Sequence, residues 1–145
     1  MKCILLCAGY ATRLFPLTEN FPKALLDIEA GKPLLDYILD EVNTIDEIYL
    51  ITNAKYYNHF NDWAMKKNNV KKITVINDMT DSNDNRLGAV KDIAFAINEC
   101  NLAGADKNVC EDGVLVLAGD NLLDFSIKGF LDFYKEKNAT CIMRH

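Results

Sequence analysis

Apolar residues in this chain follow two alternating rhythms. Short, nearly unbroken apolar runs occupy residues 2–7, 47–53, 72–77, 113–118 and 139–143. Their length and their Ile, Leu and Val content predict strands of a parallel sheet covered on both faces. Helical spacing fills the intervals. Residues 33–42 place Leu34, Leu35, Ile38, Leu39 and Val42 on one stripe behind Pro33, a residue suited to a helix start. Residues 55–67 carry an aromatic stripe of Tyr56, Tyr57, Phe60 and Trp63 with Ala64, and residues 87–100 bring Val90, Ile93, Ala94 and Ile97 together. Ser126 is placed to cap a last helix running through Phe130, Leu131 and Tyr134. The order βαβαβαβαβ predicts a doubly wound, three-layer α/β/α domain with right-handed crossovers over residues 1–145.

Two polar, turn-rich stretches interrupt this alternation. Residues 77–86 lie at the carboxyl end of a predicted strand, the side on which open α/β sheets hold ligands. Residues 101–112 precede a strand at the opposite end, where a tolerant surface loop is expected.

Composition adds exclusions. The chain is half hydrophobic and about a quarter charged, as expected of a globular domain. No run reaches the ~18 apolar residues that a spanning helix needs. The first strand begins at Lys2, leaving no room for a signal peptide, so a cytoplasmic location is expected. Five cysteines, Cys3, Cys7, Cys100, Cys110 and Cys141, are an odd set without Cys-x-x-Cys spacing, which argues against zinc and a disulfide framework. Cys3 and Cys7 share a strand face and read as small hydrophobes. A net charge of −5 argues against nucleic acid as a partner. Lys66, Lys67, Lys71 and Lys72 cluster where a helix meets a strand, which reads as a solvated face. His59, on a helix face, and the terminal His145 read as structural or exposed.

Candidate chemistry gathers after the first strand. A loop of small residues, Ala8-Gly9-Tyr10-Ala11-Thr12, leads to Arg13, and Pro22-Lys23 follows. Small residues let a ligand approach backbone N–H groups, which suits a phosphate. Two fixed cations suit a polyphosphate better than a single anion. Gly9 is the only glycine of the loop, so neither a dinucleotide fingerprint nor a Gly-x-x-x-x-Gly-Lys phosphate loop is present.

This segment resembles the Ala-Gly-x-Gly-Thr-Arg … Pro-Lys signature of the sugar-1-phosphate nucleotidylyltransferases. Lys23-Ala24-Leu25-Leu26, Gly31-Lys32-Pro33-Leu34-Leu35, Leu87-Gly88-Ala89 and Gly119-Asp120-Asn121 extend the resemblance over most of the chain. It implies a Rossmann-like nucleotide-diphospho-sugar transferase fold, incomplete at the C-terminus. It also implies transfer of a nucleoside monophosphate from a nucleoside triphosphate to a sugar 1-phosphate, with release of pyrophosphate. By resemblance, Ala8, Gly9, Tyr10, Ala11, Thr12, Leu87 and Gly88 bind the nucleotide. Arg13 neutralises its outer phosphates, and Lys23 serves the α-phosphate and the attacking phosphate. Asp120 holds Mg²⁺. The plainer readings are a turn cap for Asp120 and a helix-start packing glycine for Gly88.

The chain departs from the signature at Ala11, which stands where the family has glycine. Because alanine disfavours positive φ, an ordinary backbone conformation is expected there. The family's catalytic domain also runs on beyond the equivalent of His145, carrying a further metal carboxylate and much of the sugar pocket. Nucleotide binding is therefore expected to outlast turnover, and an exposed sheet edge offers a surface for homo-oligomer formation. Two alternatives stand beside the leading reading. One is a CTP-dependent cytidylyltransferase acting on phosphocholine or a similar phospho-alcohol. The other is a non-catalytic nucleotide-sensing or assembly module.

Overall fold

A computed structural model describes residues 1–29, 31–103 and 113–143. Cys110, His145 and most of the 101–112 loop lie outside the described residues.

Four parallel strands form the central sheet: β1 (Lys2–Leu6), β4 (Glu47–Thr52), β5 (Lys72–Asn77) and β6 (Val114–Ala118), in the order β5-β4-β1-β6. A small antiparallel ribbon, β2 (Asp27–Glu29) with β3 (Lys32–Pro33), precedes the first helix and was not evident in the apolar pattern. The helices are α1 (Leu34–Glu41), α2 (Tyr57–Lys67), α3 (Ala89–Glu99) and α4 (Ile127–Lys137). Strand alternation sorts the core into two layers. Cys3, Leu5, Ile48, Leu50, Leu115 and Leu117 pack against α1, α2 and α4, whereas Ile4, Tyr49, Ile51 and Ile76 pack against α3. This is the three-layer, Rossmann-like arrangement that the sequence predicts. No helix among the described residues is long and apolar enough to cross a membrane.

The predicted stripe of α1 is buried, as is that of α2 apart from the half-buried Tyr57, and Cys3 and Cys7 enter the same core layer. His59 stacks edge-on with Phe21 and Tyr56. Ser126 caps α4, its Oγ accepting from Gly129 N at 3.1 Å.

Four expectations are corrected. Residues 139–143 form no strand: α4 ends at Asn138 in the left-handed region, and the chain then runs irregularly. An apolar run becomes a strand only when a neighbour completes its ladder, and Ile142 is almost wholly exposed instead. In α3 the buried face passes through Asp92 and Ala96, leaving Val90 and Ala94 exposed. Lys71 is no solvated charge. Its ammonium is buried at the C-terminal end of α1, donating to the carbonyls of Val42 at 3.1 Å, Ile45 at 2.7 Å and Asn43. These carbonyls include those that a helix end leaves without intrahelical partners. Finally, Ala11 does adopt positive φ, at 46° with ψ 40°.

Candidate active site at the switch point of the sheet

The chain winds outward from β1 through β4 to β5, then returns past β1 to β6. The reversal leaves a crevice beyond the carboxyl ends of β1 and β6, where open α/β sheets place ligands. The 8–13 loop leaves β1 there, and Gly119-Asp120 leaves β6, tied back by Gly119 N donating to Leu6 O at 2.9 Å. A cavity of about 430 Å³ fills the crevice, within the range of small-molecule sites.

A buried polar frame holds the loop open. Asn53, fully buried at the end of β4, donates from Nδ2 to Ala8 O at 3.0 Å and accepts at Oδ1 from Tyr56 N at 3.0 Å. The Tyr56 hydroxyl donates to Thr18 O at 2.7 Å, and Thr18 Oγ1 donates to Ala11 O at 2.8 Å. Ala11 O also accepts from Leu14 N at 2.9 Å, closing the single helical turn Thr12–Leu14. These two donors hold Ala11 in the left-handed region, against the cost of order 1–2 kcal/mol that a Cβ incurs there. The glycine-like turn of the signature is thus made with alanine.

Lys23 is positioned by a second short turn, Lys23–Leu25, following Pro22, whose ring fixes φ near −72°. Ala24 and Leu25 are buried and anchor the turn in the core. Lys23 Nζ reaches across the cavity mouth to Asp120 Oδ2 at 3.2 Å. Both side chains stay partly exposed, so this pair adds little to stability and is free to open for a ligand.

Of the residues singled out in the sequence, Ala8, Gly9, Ala11, Lys23, Gly88 and Asp120 come together around the cavity. Tyr10, Thr12, Arg13 and Leu87 are not part of its lining. Tyr10 turns inward, its hydroxyl 3.2 Å from Thr80 Oγ1, and burial raises its pKa. Thr12 and Arg13 are exposed on the helical turn after the loop. Cys7 lies in the cavity floor with its thiol pKa raised, first by burial and then by the Asp120 charge, so it stays protonated and is no nucleophile.

Sequence reasoning missed Asn53, Arg86 and the buried acids Asp78 and Asp92. Arg86 lines the cavity, steadied by Asn83 Oδ1 at 3.1 Å. Asp92 lines it too, its carboxyl pushed up to about 6 by burial and by Asp78. Arg86 was legible as the cation directly before Leu87-Gly88. Asn53 and the two acids carry no local signal, since their significance is their burial.

Asp120 offers hard carboxylate oxygens at a half-exposed rim beside the loop. This suits Mg²⁺, which takes one or two protein carboxylates and fills its shell with phosphate and water oxygens. Among the described residues, no three His, Cys, Asp or Glu side chains gather as a ligand set.

A parallel sheet whose switch-point crevice combines a small-residue loop, a lysine and a rim carboxylate has the layout of a nucleotide-handling α/β protein. The chain belongs to the Nucleotidyl transferase family, which it matches over residues 2–144. It is 33% identical over 148 residues to the bifunctional protein GlmU of Methanococcus maripaludis, covering 99% of this chain and 30% of that protein. A Sulfolobus acidocaldarius protein assigned as a mannose-1-phosphate guanyltransferase is 33% identical over 147 residues, covering 97% of this chain and 36% of its own length. In fold, the chain is similar to a Bacillus anthracis protein assigned as a glucose-1-phosphate thymidylyltransferase. The TM-score is 0.74 at 19% identity, over 94% of this chain and 50% of that one. The chain thus spans about a third of these two relatives and half of that structure.

Proposed function

We propose that this chain forms the nucleotide-binding portion of a sugar-1-phosphate nucleotidyltransferase. The observation that carries the reading is the meeting of Lys23 and Asp120 over a cavity walled by the Ala8–Ala11 loop, at the switch point of a parallel sheet. A cation for phosphate, a carboxylate for a metal and free loop backbone are what binding of a Mg²⁺–nucleoside triphosphate requires.

In this reading the loop backbone takes the nucleotide's phosphates and ribose, and the nucleoside lies toward Gly88. Lys23 leaves Asp120 to bind the α-phosphate and the acceptor's phosphate, bringing two mutually repelling anions to reacting distance. An oxygen of the sugar 1-phosphate attacks the α-phosphorus in line. The new P–O bond forms as the bond to the β-phosphate oxygen breaks, and that oxygen departs with pyrophosphate. Arg13, on the exposed turn beyond the loop, meets the outer phosphates and the charge that leaves with them. Asp120 would hold Mg²⁺, which would add further screening of phosphate charge. No covalent enzyme intermediate is needed, because positioning and electrostatics supply the rate.

The test is pyrophosphate release with Mg²⁺, a panel of nucleoside triphosphates and a panel of sugar 1-phosphates, accompanied by calorimetric nucleotide binding. Nucleotide binding that depends on Mg²⁺ and competes with pyrophosphate is the expected minimum. Absence of nucleotide binding under all these conditions refutes the reading.

A further inference from the structure

One wall of the cavity carries a buried acid that the reaction above does not use. Asp92, in the first turn of α3, is 5% exposed and lines the cavity with Arg86, Gly88 and Ala89. Asp78, just after β5, is equally buried, and its charge bears on Asp92. Asp78 Oδ1 is already engaged, accepting from Thr80 N and Thr80 Oγ1, both at 2.8 Å. Asp78 Oδ2 and Asp92 Oδ1 find no donor among the described residues. Buried carboxylate oxygens without a donor are costly. Among the described residues, Thr52 Oγ1 and His59 Nδ1 are likewise without a partner, but of these four atoms only Asp92 Oδ1 belongs to a residue that lines the cavity, where a ligand can supply what is missing.

We infer that Asp92, backed by Asp78, is a specificity-determining residue that accepts a hydrogen bond from the nucleoside half of the substrate, a ribose O–H or a base N–H. The inference rests on the reading of this cavity as a nucleoside triphosphate site.

Proton linkage follows with a definite sign. Burial first, and then the Asp78 charge, raise the Asp92 carboxyl to about 6. Accepting a ligand donor needs the ionised form, so binding displaces a proton in acid, and affinity falls as the pH drops through about 6. The other charged or titratable groups nearby do not produce this effect. The Tyr10 hydroxyl reaches Asp78 through Thr80 and is raised by burial, Asp81 acts on that hydroxyl, and Arg86 shares the cavity wall.

The experiment compares the 145-residue protein with its Asp92→Asn variant by calorimetry in Mg²⁺. Four ribonucleoside triphosphates are measured first, then 2′-deoxy, 3′-deoxy and N-methylated-base forms of the best binder. Asn keeps the size of the side chain and gives Asp78 a donor, so the variant should fold. Expected is a loss of about 10-fold or more for the best ribonucleotide in Asp92→Asn. One analogue should bind both proteins alike, and its identity separates the ribose source from the base source. Near pH 6 the wild type should release more protons on binding the ribonucleotide than on binding that analogue, whose phosphates titrate identically. Equal affinities across the panel with equal proton release overturn the inference and leave the nucleotide site standing. No nucleotide binding by the wild type overturns both. Should Asp92→Asn fail to fold, the difference in proton release by the wild type decides alone.

Discussion

Lys23 Nζ lies 3.2 Å from Asp120 Oδ2, closing a contact between residues 97 positions apart. The pair joins the turn after the first loop to the turn after β6, so the two segments meet only in the folded chain. With one side chain a third exposed and the other half exposed, the pair is screened and contributes no more than about 0.5 kcal/mol to stability. Lys23→Met and Asp120→Asn should therefore melt within a degree or two of the wild type. Lys23→Met should lower pyrophosphate release by about 100-fold or more, the effect of removing one well-placed electrostatic donor. Asp120→Asn should abolish the Mg²⁺ dependence of nucleotide affinity, because the amide lacks the hard anionic oxygen. A collapse in melting temperature with metal dependence intact would mark Asp120 as a turn cap.

Arg13 presents a different case, since it sits on the exposed turn after the loop and outside the cavity lining. If it meets the outer phosphates, Arg13→Ala should weaken triphosphate binding much more than monophosphate binding. Calorimetry with both ligands checks this. Equal losses would remove Arg13 from the phosphate site.

The sheet and the first two helices were legible because burial on both faces leaves apolar runs that no other element explains. Lys23 and Asp120 were legible as members of a resemblance, although their contact was not. The face of α3 was ambiguous. Apolar residues at 90, 93, 94 and 97 fit a helical stripe, yet the sheet beneath selected the face through Asp92 and Ala96. Asp92 was hidden for that reason: an acid in a helix's first turn reads as an ordinary exposed dipole partner until the packing is known. Lys71 was hidden likewise, because a lysine beside other lysines reads as solvated. The run at 139–143 looked like a strand because periodicity reports apolar character without reporting a hydrogen-bonding neighbour.

Ala11 holds a left-handed conformation that glycine adopts without penalty. Ala11→Gly should stabilise the protein by roughly 0.5–1 kcal/mol, part of the relief being offset by the greater freedom of glycine in the unfolded chain. Ala11→Val should destabilise it by at least about 1 kcal/mol, since a branched Cβ tolerates this region less well. Urea denaturation of the three proteins gives the order. Greater stability for Ala11→Val than for Ala11→Gly would contradict the left-handed turn.

The three carbonyls that Lys71 gathers at the end of α1 have an ammonium as their common donor. Lys71→Met keeps the apolar stem and removes only the charge and its N–H groups. About 2–3 kcal/mol of stability should be lost, with nucleotide affinity unchanged because Lys71 lies outside the cavity lining. Chemical denaturation together with calorimetry separates the two. Unchanged stability would mean that water serves these carbonyls equally well.

Gly119 joins β6 to Asp120, and its lack of a side chain is required by Cys7. A Cβ built at Gly119 collides with Cys7 Sγ, with Leu6 O at 3.3 Å and Leu35 Cδ1 at 3.6 Å closing the other sides. Cys7 is buried, so its sulfur has little room to move, and it stands where β1 passes into the loop. Gly119→Ala must therefore displace either the start of the loop or the turn that carries Asp120. Overpacking of this kind costs about 1–3 kcal/mol. Nucleotide affinity should fall too, because both segments flank the cavity. Cys7→Ala alone should cost about 1 kcal/mol for the small void it leaves. It also removes the colliding sulfur, so the double variant should recover most of the stability and affinity lost in Gly119→Ala. A double-mutant cycle on urea midpoints should give a favourable coupling of about 1–2 kcal/mol. Strict additivity would show that the two residues do not share this space. The site would then owe its glycine to some other neighbour of the Asp120 turn.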